Sequence, residues 1–197
     1  MAKDIFHDRE RAEEAAYFSQ QDARLIEKLR ERARLGEVAK ALAEKLKVDD
    51  PELLDRVMKL GVTLETGAAF ILAPLVEVAW ADGDVSESER EAILRLAQDR
   101  GVTPGSADMG QLLQWLSIRP PGALLQAALE AIELGLSVLP RDEAEQRVRN
   151  MIEACEQVAR SSGGLAKLLH LHDGVSADER SVLNEIRARL TSRPQVT

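Results

Sequence analysis

Residues 75–94 read Leu-Val-Glu-Val-Ala-Trp-Ala-Asp-Gly-Asp-Val-Ser-Glu-Ser-Glu-Arg-Glu-Ala-Ile-Leu, and this stretch decides the fold class. An apolar run with a helical period comes first, Asp82-Gly83-Asp84 interrupts it, and a second helical period follows. Ser86-x-x-Glu89 at the start of the second period is typical of a capping box, in which the two side chains bind backbone amides of the first turn. The stretch therefore predicts two helices joined by a tight acidic turn.

The rest of the chain has the same character, because every long segment has a helical period and no long run alternates as a strand does. We predict an all-α protein of four parts. A charged helical arm covers 1–46, and a short linking helix covers 47–62, started by Asp50-Pro51. The main helical domain covers 63–192, and 193–197 form a loose tail.

Within the main domain, glycine and proline residues mark the predicted ends of the helices. The first prediction is a single helix over about 63–81. It is apolar but shorter than the roughly 20 residues that a bilayer requires, and it carries Pro74 and Glu77. We expect a buried core helix and no membrane span. The other predicted helices are 87–100, 111–117, 122–138, 142–160 and 177–190.

An internal repeat connects the two ends of this domain. The motif Val-Ser-x-x-Glu-Arg occurs at 85–90 and again at 175–180, and an Asp-Gly pair precedes each copy, at 82–83 and 173–174. Repeated units of this kind predict two helix-loop-helix halves packed about a pseudo-twofold axis.

Residues 63–190 resemble the TerB-like family of tellurite-resistance domains. The resemblance is carried by the apolar helix, the Ala-Asp-Gly turn, the spacer and glutamate that follow, and their recurrence near the C-terminus. It implies a helical bundle, a stress-response setting and an acidic loop associated with metal binding. Hard oxygen ligands suit Ca²⁺ or Mg²⁺. The positions that correspond to the family's acidic loop are Asp82, Asp84, Glu89, Asp173 and Glu179.

The same acidic residues also have a structural explanation. Ser86 with Glu89 and Ser176 with Glu179 have capping-box spacing, and acids in a first turn suit the helix dipole. A cap and a metal site are compatible, so both interpretations stay open. A closed EF-hand loop is excluded, since its twelfth position, counted from Asp82, is Ile93.

The arm opens with Phe-His-Asp-Arg-Glu-Arg-Ala-Glu-Glu-Ala-Ala-Tyr-Phe at 6–18, which places aromatic rings in a segment otherwise made of charge and alanine. Rings of this kind either dock into a partner or pack against the protein's own body. The pattern resembles the inhibitory helix of the F1-ATPase inhibitor proteins, which implies a protein partner, with F1-ATPase as one candidate. The candidate partner-binding residues are Phe6, Arg9, Glu10, Glu13, Glu14, Tyr17 and Phe18.

Composition limits the remaining classes of function. The net charge is −8, and the arm is neutral, so the main domain carries the excess of acid. An acidic body argues against nucleic acid as a partner. The lone Cys155 forms no internal disulfide and, inside an apolar helix, is expected to be a small buried residue. With no recognisable N-terminal signal, we expect a cytoplasmic protein.

These observations favour a protein that is not an enzyme, because no nucleophile, base and orienting partner can be assembled from spacing. The leading hypothesis is a TerB-like interaction or stress-response module that presents its N-terminal helix to a protein partner. The alternatives are an F1-ATPase inhibitor-like regulator acting through residues 6–40 and a divalent-metal sensor that uses the Asp-Gly loops. A homo-oligomer stays possible under each of them.

Overall fold

A computed structural model describes residues 21, 24–27, 36–161 and 175–192. Its regular elements within these ranges are helices, with no strand among the described residues, which confirms the all-α prediction. The chain divides into two compact units, Met1–Lys40 and Ala41–Thr197. No helix in the described ranges is both long enough and apolar enough to cross a membrane.

The helices follow one another with short connections. Residues 24–27 are helical, and 36–46 form α1. After a 3₁₀ turn at Leu64–Thr66 the chain enters the bundle proper. Helix α2 (Pro51–Lys59) precedes this turn. The helices after the turn are α3 (Gly67–Ile71), α4 (Ala73–Ala79), α5 (Glu87–Asp99), α6 (Ala107–Ser117), α7 (Gly122–Ser137), α8 (Arg141–Ser161) and α9 (Ala177–Thr191).

The prediction of one continuous helix over 63–81 is wrong. The 3₁₀ turn, α3 and α4 replace it, and the backbone departs from helical geometry at Leu72, with φ −91° and ψ 1°. Pro74 explains the break between α3 and α4: it has no N–H to donate to the Phe70 carbonyl, and in a continuous helix its ring would clash with that carbonyl. Proline is well placed in the first turn of a new helix, and Pro74 occupies that place in α4.

Helix α4 is the centre of the bundle, as expected for a buried core helix. Every residue from Ala73 to Ala79 is buried except Glu77, which is half-buried and forms an ion pair with Arg119 at 2.8 Å. Helices α5, α7, α8 and α9 all pack against α4. A short helix that is apolar on nearly all sides is removed from water only when other helices surround it.

Two close contacts hold the end of α1 and helix α2 against α7. Leu42 and Leu46 of α1 are buried in the core. Gly135 of α7 lies so close that an added Cβ would sit 3.2 Å from the backbone oxygen of Leu46. Arg56 of α2 binds Glu130 of α7 at 2.7 Å.

We predict that Gly110→Ala stabilises the protein and that Gly135→Ala does not. Gly110 lies in α6 with open space around it, so alanine should raise the free energy of unfolding by about 0.5–1 kcal/mol. Alanine at Gly135 should give no gain or a loss, because its Cβ would press on the Leu46 carbonyl. Urea unfolding of both variants measures the difference, and equal stabilisation would show that α1 and α7 can separate freely.

Candidate functional site

The Val-Ser-x-x-Glu repeat forms two helix starts of the same construction. Ser86 precedes α5 and Ser176 precedes α9, both with extended backbone, and each forms a complete capping box with the glutamate three residues later. The capping prediction is confirmed at both copies. These boxes settle local structure only, and the pseudo-twofold arrangement of whole halves stays a prediction.

The two boxes also have the same pattern of burial. In each, the valine and the serine are half-buried, the next two residues are exposed, and the glutamate is buried. Glu89 and Glu179 are each 1% exposed, and they are the two buried polar residues in the described part of the chain. Burying a carboxylate is costly unless hydrogen bonds compensate, so this position is unusual for a surface cap.

The hydrogen bonds of Glu89 are unevenly shared between its two oxygens. Oε2 accepts from the backbone N–H of Ser86 at 2.8 Å and from the Ser86 hydroxyl at 2.6 Å. Oε1 is buried and accepts from no described group. Oε2 is therefore satisfied by the capping box, and Oε1 is available to a proton or a ligand.

The electrostatics of Glu89 show that the two boxes are close to each other. Burial raises the pKa of the Glu89 carboxyl, the Ser86 hydrogen bonds oppose that rise, and the charges of Glu179 and Asp82 add to it. A second acid beside a buried carboxyl favours a proton or a cation at that carboxyl. Sequence spacing alone gave no sign that Glu179, 90 positions along the chain, would influence the pKa of Glu89.

The other predicted metal ligands that the structure describes are exposed, unlike the two buried glutamates. Asp82 and Asp84 are exposed, and the backbone N–H of Asp84 donates to Asp82 Oδ1 at 3.4 Å within the turn. Asp173 lies outside the described residues. Among the residues described, no group of three or more His, Cys, Asp or Glu side chains is placed to hold a metal ion.

Two other predictions can be compared with the structure. Cys155 is buried, and burial raises the pKa of its thiol to about 12, despite the opposing charge of Arg100. It is a small core residue, as expected. The candidate partner-binding residues between Phe6 and Phe18 lie outside the described residues.

The arm does contain a feature that sequence reasoning missed. Leu25 and Ile26 lie in the helical residues 24–27 and are 57% and 49% exposed. The helical period of the sequence does not distinguish them, since an apolar pair in a charged helix is also expected when one face of the helix packs against the protein's own core.

Comparisons with known proteins identify no relative. No family model, no curated protein and no solved structure matches this chain. The TerB-like and F1-ATPase inhibitor resemblances therefore stay predictions.

We predict that Ser86→Ala costs more than Ser106→Ala. Ser106 caps α6 by accepting from the Met109 N–H, so its loss should cost the usual value of about 1 kcal/mol. Loss of the Ser86 hydroxyl also removes a donor from the buried Glu89 carboxyl, which should bring the total to about 2 kcal/mol. Urea unfolding of both variants measures the free energies, and equal losses would show that the buried carboxyl gains nothing from the serine.

Proposed function

We propose that this protein is a non-enzymatic, TerB-like interaction module that presents its N-terminal helix to a protein partner. The observation that carries the proposal is the exposure of Leu25 and Ile26 on helical residues of the Met1–Lys40 unit. Two large apolar side chains in water are an unfavourable arrangement that a partner surface relieves, at about 25 cal/mol for each Å² covered.

The charge of the arm supports the same proposal. Residues 1–46 carry equal numbers of acidic and basic side chains, in a chain whose net charge is −8. A neutral helix can approach an acidic or a basic partner without long-range repulsion, and its apolar pair then supplies the contact area. The aromatic residues at 6–18 extend the surface that a partner would cover.

The polar groups of the body support a structural role and not a catalytic one. The hydroxyls of Ser86, Ser106 and Ser176 accept from backbone amides at helix starts, as does the Asp50 carboxylate. The Cys155 thiol keeps its proton at neutral pH. These four side chains thus hold helix starts, and the Cys155 thiol lies in the core.

Introducing two negative charges into the apolar pair of the arm tests this proposal. We predict that Leu25→Glu with Ile26→Glu lowers the amount of partner recovered from the source cell at least about tenfold, equivalent to about 1.4 kcal/mol. The matched control is Ile118→Glu in the body, because Ile118 is also a single exposed isoleucine, at 68%. Quantitative cross-linking measures the recovery, and equal recovery with both variants would contradict a role for the arm.

The F1-ATPase version of this proposal has its own assay. A peptide of residues 1–46 should inhibit purified F1-ATPase at micromolar concentration. Tyr17→Ala with Phe18→Ala should weaken that inhibition at least about tenfold, as expected for aromatic contacts at the centre of an interface. Without inhibition by the peptide, the partner belongs to another class of protein.

A second function, divalent-cation sensing, is favoured by one specific observation. Glu89 Oε1 is buried without a described partner, and Glu179 lies close enough to affect its ionisation. We infer that Glu89 and Glu179 could hold a hard cation between the boxes. One or two carboxylates completed by water is a ligand set that Mg²⁺ accepts, whereas Ca²⁺ takes six to eight oxygens.

Thermal unfolding with added cations tests this second function. We predict that Mg²⁺ at a hundred times its dissociation constant stabilises the wild type by about 2.7 kcal/mol and leaves Glu89→Gln unchanged. The matched control is Glu87→Gln, since the Glu87 side chain lies in the same turn but is 78% exposed. An equal response in Glu89→Gln and wild type would remove the buried pair from consideration.

A further inference from the structure

A cleft of about 440 Å³ opens between the second half of α7 and the first half of α8. The α1 end, Ile71, Arg100 and the C-terminal end of α9 complete its walls, all within the Ala41–Thr197 unit. Its volume falls within the range of about 300–1,000 Å³ that is usual for small-molecule sites.

The inside of the cleft is apolar. Leu46 and Leu190 are buried at its base. Ile132 and Leu136 of α7 face Val148 and Met151 of α8, and these four side chains are only half-buried. The surface they leave uncovered is therefore able to accept the aliphatic part of a ligand.

The rim of the cleft has one sign of charge. Its charged lining residues are Lys45, Lys47, Arg100 and Arg147, with no acid among the described residues that line it. The protein as a whole carries −8, so this is a local reversal of its charge. Cations grouped around an apolar opening attract an anionic group and place it at the mouth.

These four cations are not equally available. Arg147 binds Glu143 on its own helix at 2.7 Å, and Lys45 donates to the Leu64 carbonyl at 2.7 Å. Arg100 donates to the carbonyl of Leu96 at 3.0 Å, which leaves its charge without an acid. Lys47 is exposed and forms no ion pair with another described residue. An anion would therefore meet Lys47 and Arg100 first.

The backbone of Lys47 gives a second reason to assign it a role. Its φ of 59° is the one positive value at a described residue other than glycine. Lys47 follows α1, and the N–H of Val48 donates to the Ala43 carbonyl at 3.0 Å, so Lys47 occupies the helix-end position where glycine is preferred. A lysine costs more backbone strain here than glycine would, and strain of this kind is found more often than usual at binding sites.

We propose that this cleft binds a small amphiphile with an anionic head group and an aliphatic body, of the fatty carboxylate class. The aliphatic body occupies the space between α7 and α8, and the carboxylate lies at the rim against Lys47 and Arg100. A cationic or a neutral amphiphile of the same length fills the same apolar volume but gains nothing from the rim.

Calorimetric titration of the full-length protein with dodecanoate, below its micelle concentration, tests the proposal. We expect one site, with dodecyltrimethylammonium and dodecanol each binding at least about tenfold more weakly. Raised salt should weaken dodecanoate binding, because the rim is exposed to solvent. Lack of dodecanoate binding, or equal binding of the cationic and anionic amphiphiles, would overturn the proposal.

Two substitutions at one position separate binding from structure. Lys47→Gly should raise the urea midpoint, since glycine relieves the positive φ, while weakening dodecanoate binding at least about tenfold. Lys47→Arg should keep dodecanoate affinity within about threefold, because the charge stays at the rim. A Lys47→Gly protein that binds dodecanoate as tightly as the wild type would show that the lysine is only a helix end.

Discussion

The burial of α4 on all sides is the constraint on which the rest of the bundle depends. A helix of seven residues has little stability of its own, so its order comes from the helices that cover it. Helices α3, α5, α6, α7, α8 and α9 contact it, and the turn after Trp80 precedes the start of α5. Trp80 stabilises that turn by donating its indole N–H to the Trp115 carbonyl at 2.7 Å, which connects the end of α4 to α6.

The capping boxes show how a local motif acquires a long-range consequence. Each glutamate first serves its own helix by binding the serine that precedes it. Helices α5 and α9 both pack against α4 and α8, and the two buried glutamates are near enough for the charge of Glu179 to raise the pKa of Glu89. Ordinary caps stay at the surface, where water screens the carboxylate. Here the bundle removes that water, and the uncompensated Oε1 of Glu89 follows from it.

Charge and exposed apolar area differ between the two surfaces on which the binding proposals rest. The arm combines balanced charge with the exposed pair Leu25 and Ile26, a composition suited to a protein surface. The cleft between α7 and α8 has an apolar interior and a cationic rim, a composition suited to an anionic small molecule. The two surfaces use different residues and different chemistry, so binding at one can be tested without disturbing the other.

The sequence by itself determined the features that depend on neighbouring residues. The helical period specified the all-α class, Asp50-Pro51 specified the start of α2, and the Ser-x-x-Glu spacing specified the starts of α5 and α9. Each rests on hydrogen bonds and periodicity within one or two turns. The break at Leu72 was missed, although Pro74 was visible, because the apolar pattern continues through it unchanged.

Only the tertiary structure decided which distant residues meet. The charge of Glu179 acts on the pKa of Glu89, although the two residues are far apart in the chain. Lys47, Arg100 and Arg147 likewise come from different parts of the chain and line one cleft. Helical periodicity indicates which face of a helix is apolar. It does not indicate which other helix packs against that face or which side chains become buried there. That depends on the packing of side chains across the whole bundle, which no local stretch of sequence contains.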